Sequence, residues 1–438
     1  MRLNCTRTIV LVALIFAIIT LATAQQTFKI AKIEFEGLNR FSADAVILTT
    51  ELKVGQQFEL PALDSAAQRL MDSGLFKNVA YRTKPNKDQI TITFVVEEAK
   101  VSTSRVIFDN FVWFSETELI AAIKRDVPSF TGTAPDNGDT VERITKSLQR
   151  FLHEHEIEAT VSYMASQDSA GSASQEHVFS VIGVPLPICT LHFPGAKNIS
   201  EATLIESSKS LIGSDYSQKF VSLHSTNNLF PLYRELGQWK AAFAPPSAKP
   251  EATANCKSGV ELTIPVDEGL VYKWEKADWS GVSALTAQEL NAVIDMPQGK
   301  PANGIKFDKS SKQIQSAYGR KGYLRAIVRS VPEFDDNNQT LTVKMDVREG
   351  PQFRMGRLIT KGFPDSLGKS LQDRWGLKTG DIYDSSYREQ FFEKQMAEIM
   401  RSMFMERRAQ GKPAPRTKWE LDINRTALTV DVILELTN

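Results

Sequence analysis

The residues best equipped for chemistry in this 438-residue chain are a histidine pair, two cysteines and a few paired carboxylates. His153 and His155 bracket Glu154 in HEHE. The residue types suit a metal, but side chains two apart on a helix point away from each other, which predicts a solvated helix end. Glu97-Glu98 and Asp267-Glu268 have the composition of a general acid–base pair. They recur at the end of successive strands, so they read as a feature of the links between domains. Cys5 leaves with an N-terminal leader, and Cys189 and Cys256 remain. Two cysteines suffice for one disulfide in an oxidising compartment, or stand as two thiols. No GxxxxGK[ST] loop, HExxH or GxSxG elbow occurs. The expectation is a protein without catalysis, cofactor, metal or small-molecule substrate.

Charge and length narrow the class further. Lysine plus arginine equal aspartate plus glutamate at 52 each, and loss of Arg2 and Arg7 with the leader leaves 50 basic residues. Such a balance lacks the basic footprint that phosphate backbones require, which argues against a nucleic-acid partner. The leader itself is MRLNCTRTIVLVALIFAIITLATA. Two arginines precede an apolar run, and Ala22-Thr23-Ala24 fits a signal-peptidase site, making residues 1–24 a signal peptide and Gln25 the mature start. Export follows as an expectation. The remaining length is too great for one core and predicts several domains.

What positions these residues is a repeat. FEGLNRFSADAV from Phe35 returns as FDNFVWFSETEL from Phe108, FPGAKNISEATL from Phe193, WSGVSALTAQEL from Trp279 and TKGFPDSLGKSL from Thr360. The starts lie 73, 85, 86 and 81 residues apart. In four of the five copies a strand meets a turn glycine (Gly37, Gly195, Gly281 and Gly362), suited to positive φ. Ser42, Ser115, Ser200 and Thr286 then sit where an N-cap is needed, and Glu118 and Glu289 complete capping boxes. The fifth copy lacks a hydroxyl at that place, with Ser366 nearby. A second helix carries Leu63, Ala66, Ala67 and Leu70, or Val141, Ile144, Leu148 and Leu152, on one face. Gly55, Gly213, Gly299 and Gly380 mark the turn between helices, and Gly74 and Gly322 end the second helix. A closing strand alternates strictly: Ile90, Ile92, Phe94 and Val96; Val260, Leu262, Ile264 and Val266; Leu341, Val343, Met345 and Val347; Leu428, Val430, Val432 and Leu434. Period two means one buried face and one wet face. The fold class expected is α+β, five tandem two-layer units of strand–helix–helix–strand–strand forming an elongated array.

The second copy departs most. Asn110 replaces the turn glycine, which its tolerance of left-handed backbone permits. SFTGTAPDNGDT separates its helices, SQDSAGSASQ lengthens its hairpin, and the third copy carries APPSAKPEATAN as a hairpin loop. All three read as polar surface decoration. The sequons at Asn198 and Asn424 read as coincidences.

The leader, the FEGLNRFS turn, VGQQF, DSGLFKNV and the TITFVVEE strand together resemble a polypeptide-transport-associated (POTRA) domain. The links EEAK, DEGLVY and REGPQF fit as well. The array is similar to the periplasmic arm of the BamA/TamA outer-membrane protein insertase superfamily, without a recognisable β-barrel. The resemblance implies POTRA-like repeats at 25–99, 100–184 (atypical), 185–269, 270–349 and 350–438. It also implies that the strands opened by Cys189 and preceded by Cys256 are parallel neighbours, so that the two cysteines form a disulfide. The second strand of each unit becomes a sheet edge able to accept an extended chain, with Val79 and Tyr81, Trp239 and Phe243, and Leu324 and Val328 as candidates. The function implied is non-enzymatic binding of unfolded outer-membrane protein precursors, or docking of assembly partners, in the periplasm of a Gram-negative-type bacterium. The alternative is the soluble arm of a split or truncated insertase, docking a separate β-barrel subunit or assembly lipoproteins. A hidden envelope enzyme ranks below both. For docking, the fifth copy offers Tyr387, Phe391, Phe392 and the tract MRSMFMERR at 400–408, which core packing would also explain.

Overall fold

The computed structural model describes residues 28–437 apart from 101, 168–174, 254–255 and 412. The leader with Cys5, and the tips of the SQDSAGSASQ and APPSAKPEATAN segments, lie outside the described residues. No described helix is long and apolar enough to cross a membrane. Two compact units divide within the third repeat. One holds the residues up to Thr190 with Leu211–Val221 and Ser247–Leu262; the other holds Leu191–Ser210, Ser222–Pro246 and the chain from Thr263.

In the first unit, β1 Lys29–Glu36, α1 Ala43–Thr50, α2 Leu60–Asp72, β2 Phe76–Asn86 and β3 Gln89–Glu98 follow in order. The sheet runs β1-β3-β2, with β1 parallel and β2 antiparallel to the central β3. Ile90, Ile92, Phe94 and Val96 are all buried, as strict alternation on one covered face requires. A bulge between Ile30 and Lys32 adds one residue to β1, which lets Ile30 and Ile33 face the same core although three apart. Leu63, Ala66 and Leu70 of α2 close that core, each with no exposed surface.

The second repeat comprises β4 Thr103–Phe108, α3 Glu116–Lys124, β5 Thr133–Pro135, α4 Thr140–Glu154, β6 Thr160–Gln167 and β7 Gln175–Ile182, in the order β5-β4-β7-β6. Here two expectations are corrected. SFTGTAPDNGDT is not decoration: it supplies β5, buries Phe130 and Ala134, and covers the edge of β4 that its counterpart β1 leaves open. Asn110 does not take the left-handed conformation. Its side-chain amide instead donates to Val181 O at 2.9 Å and accepts from Val181 N at 2.6 Å. The other repeats place glycine against the corresponding carbonyl; a Cβ at Gly37 would lie 2.0 Å from Val96 O, and one at Gly281 would lie 2.1 Å from Val347 O. Asparagine solves the same contact by bonding rather than by having no side chain.

The third repeat has β8 Ile188–His192, α5 Glu201–Ser207, α6 Gln218–His224, a π-turn at Ser225–Leu229, α7 Phe230–Glu235, β9 Ala242–Phe243, β10 Ser247–Thr253, β11 Cys256–Thr263 and β12 Val266–Asp267. APPSAKPEATAN is therefore the second strand itself and not a loop. Its three prolines and five polar residues hide the strand, and Pro245-Pro246 splits off the short β9, which pairs with β12.

In the second unit, β13 Lys273–Ser280, α8 Ala287–Val293, α9 Gly304–Arg320, β14 Ile327–Asp335 and β15 Thr340–Arg348 form a sheet in the order β13-β15-β14 beneath two helices. β16 Arg354–Lys361, α10 Asp365–Arg374, α11 Tyr387–Phe391, a π-turn at Phe392–Met396, α12 Ala397–Ala409, β17 Arg416–Asn424 and β18 Thr429–Thr437 follow, ordered β16-β18-β17. The two π-turns begin twelve residues after Gly213 and Gly380, the same place in their repeats.

Helix starts follow the hydroxyl pattern. Ser42, Ser115, Ser200 and Thr286 each cap a helix through the side chain, with complete boxes at Ser115–Glu118 and Thr286–Glu289. In the fifth repeat Pro364 occupies the cap without a side-chain bond, and Ser366 falls inside α10. The inter-helix glycines do a different job from Gly37. Gly55, Gly299 and Gly380 donate N–H to Ile30, Trp274 and Met355 near the start of the first strand, at 2.7, 2.8 and 2.8 Å. A Cβ there would meet nothing, so positive φ alone demands glycine.

Candidate functional site

The paired carboxylates resolve into a structural clasp. Glu98, with its side chain 7% exposed, accepts from Asn39 N at 2.7 Å, Arg40 N at 2.9 Å and Arg40 Nε at 2.9 Å. Burial works against this carboxylate, but the hydrogen bonds from Asn39, Arg40 and Phe41 outweigh it and hold Glu98 below the usual carboxylate range. Glu268 accepts from Lys197 N and Asn198 N, and Glu349 from Ser283 N and Ala284 N, in the same arrangement. Each carboxylate ties the turn after the first strand to the exit of the third. Each of these three carboxylates is thereby committed to the backbone N–H groups of its own turn.

Cys189 and Cys256 are bonded, with Cα atoms 6.0 Å apart. Gly259 sits over the bridge, where a Cβ would lie 2.3 Å from Cys189 Sγ. His155 stays away from His153: its Nδ1 contacts Phe151 O at 2.9 Å and its ring packs edge-on to Phe114 and Phe151. No group of three or more potential metal ligands occurs among the described residues.

One polar cluster has no local signal in the sequence. His177 is buried, with Tyr163 Oη 3.0 Å from Nδ1 and both Ala134 O (3.2 Å) and Asp136 Oδ1 (3.3 Å) at Nε2. Burial disfavours the Asp136 carboxylate, yet bonds from Ser102 and Ser104 and the neighbouring His177 leave it below its ordinary range. These residues lock the β5 insert onto the sheet. Every partner is satisfied from within, which makes the cluster structural.

Contacts between successive repeats converge on the glycine ending the second helix. A Cβ at Gly74 would lie 2.2 Å from Asn137 O, while Asp139 N donates to Asp72 O and Thr140 Oγ1 to Ser73 O. Gly237 O accepts from Tyr272 N at 2.9 Å, and Gly322 O from Phe353 N at 2.8 Å. Around Gly237, Arg234 grips Asp308 through two bonds of 2.6 and 3.1 Å and stacks 4.5 Å above Trp239, whose Nε1 donates to Ala302 O at 2.6 Å. Lys240 bonds Asp336 at 2.7 Å. Between the second and third repeats Asp109 accepts from Lys219 N and Ser217 Oγ, and the Lys219 amine reaches Glu176 and Ser166.

The edge candidates divide accordingly. Val79 and Tyr81 lie half-buried in β2 at a sheet edge, with the Tyr81 hydroxyl bonded to Asp64 of α2. Val328 lies in the edge strand β14. Trp239 is in no strand and is used for the contact with the fourth repeat; Phe243 belongs to the two-residue β9. Leu324 precedes β14 and packs into the fifth core. An alternating apolar run near a helix end served tandem packing in these cases, which strand periodicity cannot separate from an edge. The second strands β2, β6, β10, β14 and β17 each end their sheets, with β1, β5, β8, β13 and β16 at the opposite edges. One cavity of about 290 Å³ lies beside β9, between Ser222, Thr226, Phe230 and Phe243, and one of about 300 Å³ lies beside β14, between Ser311, Lys312, Gln315, Val328, Ser330 and Met345. Phe391 and Met396 are core residues and Tyr387 and Phe392 pack against them, but α12 buries nothing fully, leaving Phe404 and Met405 exposed.

Comparison with known proteins places these units. Residues 28–99 and 272–350 match the POTRA family model, described as surface antigen variable number repeat. A Treponema pallidum (strain Nichols) protein named as an outer membrane protein assembly factor is 26% identical over 127 residues, covering 29% of this chain and 15% of the relative. Outer membrane protein assembly factor BamA of Nitratidesulfovibrio vulgaris is 18% identical over 380 residues, covering 82% of this chain and 45% of the relative. The chain thus spans less than half the length of the curated relatives it matches. Among solved structures, Haemophilus influenzae BamA POTRA3-5 aligns at a TM-score of 0.42 with 22% identity, over 58% of this chain and 96% of that one.

Proposed function

From the premise that this chain is built of tandem POTRA repeats, we propose that it serves outer-membrane protein assembly. In that reading it is exported to the periplasm, performs no covalent reaction, and holds extended segments of outer-membrane protein precursors by adding them to sheet edges. The observation that carries the reading is topological: every repeat leaves its second strand at an edge. Backbone N–H and C=O groups on that side can pair with any extended chain, and pairing through the backbone suits clients of many sequences. The test is hydrogen exchange on the mature chain with and without a urea-unfolded outer-membrane β-barrel protein, using the same protein folded as the control. Slowed exchange in β2, β6, β10, β14 or β17 with the unfolded client alone is the expected result. Slowing confined to helices, or equal for the folded client, would overturn it.

The exposed Phe404 and Met405 on α12 favour a second reading, docking of a separate β-barrel subunit or an assembly lipoprotein at the fifth repeat. Co-purification with such a subunit in detergent, lost on Met405→Glu, would support it; unchanged recovery would count against it.

A further inference from the structure

We propose that the edge of β14 is a bounded acceptor, admitting an extended peptide segment of about four residues that carries an acidic side chain. The inference rests on the edge-capture reading above and specifies its length limit and charge preference at one repeat.

The bounds come from two side chains. Gln315 of α9 donates from Nε2 to Ala326 O at 2.6 Å, so the outward-facing backbone just before β14 is already occupied. The same device stands in the second repeat, where Gln149 donates to Ala159 O and accepts from Val161 N, both at 2.8 Å, imitating a peptide group. Val328, Ser330 and Pro332 share one parity along β14. Pro332 sets its direction, because a proline within an edge strand places its missing N–H on the unpaired side, so Val328 and Ser330 turn outward too. An incoming strand therefore finds donors at Val328 and Ser330, then a position with none. The window lies between the glutamine plug and the proline stop.

The charge preference comes from the cavity beside that window. Val328 and Ser330 also line the space of about 300 Å³ with Ser311, Lys312, Gln315 and Met345. A strand added there alternates its side chains, so one of them points into this space. Lys312 is exposed at its rim and forms no ion pair with the described residues. Ser311 Oγ is buried without a hydrogen-bond partner. An ammonium without an ion pair at the rim of that space matches a carboxylate.

The experiment titrates blocked peptides Thr-Val-Glu-Val-Thr and Thr-Val-Lys-Val-Thr, to millimolar concentration, into the mature chain and reads hydrogen exchange along β14. The glutamate peptide is expected to slow exchange at 327–331, with the lysine peptide about fivefold weaker. Lys312→Glu, a surface change, should invert that order. A nine-residue peptide should protect nothing past Pro332 in the unsubstituted chain and should reach 333–335 in Pro332→Val. Equal protection by both peptides, no response to Lys312→Glu, or protection running past Pro332 would each overturn the proposal. Protection of β2 or β6 without β14 would defeat it and leave edge capture standing. Protection of no edge strand would defeat both.

Discussion

Replacing Glu98 by glutamine keeps the shape of the clasp and removes its charge. Three hydrogen bonds are affected, two from backbone N–H groups and one from Arg40 Nε. A bond to a charged group contributes about 1.5–3 kcal/mol and a neutral one about 0.5–1.5, so each backbone bond weakens by about 0.5–1 kcal/mol. The Arg40 side chain is 47% exposed, and solvent screening leaves its ion pair worth less. The turn at 37–42 should therefore open about 1–2 kcal/mol more easily, a five- to thirtyfold loss of exchange protection. The pH dependence has a definite sign. Glu98 is depressed in the folded state, so its stabilisation is complete above the unfolded value near 4.3 and is lost as pH falls through the folded value. Hydrogen exchange followed by mass spectrometry from pH 7 down to pH 3, corrected for intrinsic rates, reads both effects. The wild-type turn should lose protection across the acid range while Glu98→Gln starts low and stays level. Identical pH profiles, or a loss under twofold at pH 7, would refute the clasp argument.

Gly55→Ala should cost about 1 kcal/mol for positive φ alone, whereas Gly37→Ala should cost several times more because its Cβ meets Val96 O at 2.0 Å; urea unfolding of each variant compares them. Lys219→Ala should loosen the packing between the second and third repeats, leaving Glu176, with its side chain 12% exposed, short of its cation, at about 1–3 kcal/mol; limited proteolysis around residue 217 is the readout, and an unchanged cleavage rate would count against it. Reduction of Cys189–Cys256 should lower the thermal midpoint and cost about 4 kcal/mol of stability on the loop-entropy view, a term that grows with the logarithm of the 67-residue separation. Arg234→Lys should fail to replace arginine, since one ammonium cannot make both bonds to Asp308 while stacking on Trp239; a shift in tryptophan fluorescence reports it.

Much of the fold was readable because its signals are local. The hydroxyl caps, the alternating third strand and the turn glycines each depend on a few neighbouring residues, and Ile92 or Ser115 carries its meaning within its own window. What escaped was set by residues far apart in the chain. Asn110 finds its partner 71 positions away at Val181, and nothing adjacent announces that its amide will bond rather than its backbone turn. β10 was hidden because proline and alanine are poor strand formers, and pairing with β11 overrides propensity there. Trp239 and Leu324 misled because alternation near a helix end looks the same whether a sheet edge or the next repeat covers the side chains. At the candidate edges, Val79, Tyr81 and Val328 follow from the strand order that the resemblance implies, but the bounds at Gln315 and Pro332 need the register.

The clasp also bears on how a chain of near-duplicates sorts itself during folding. β1 must find β3 about 60 residues on, while β7, the equivalent strand of the next repeat, lies about 150 residues away. Loop closure separates these two choices by only about 0.8 kcal/mol, too little to prevent exchange of strands between neighbours. A β1 that paired with β7 would meet Ile182 and Gly183 where its own repeat offers Glu97 and Glu98. Asn39 and Arg40 would then present two N–H groups with no carboxylate to receive them. Glu98 thus works as a recognition mark between strands of one repeat, and mispaired forms should accumulate during refolding when it is removed.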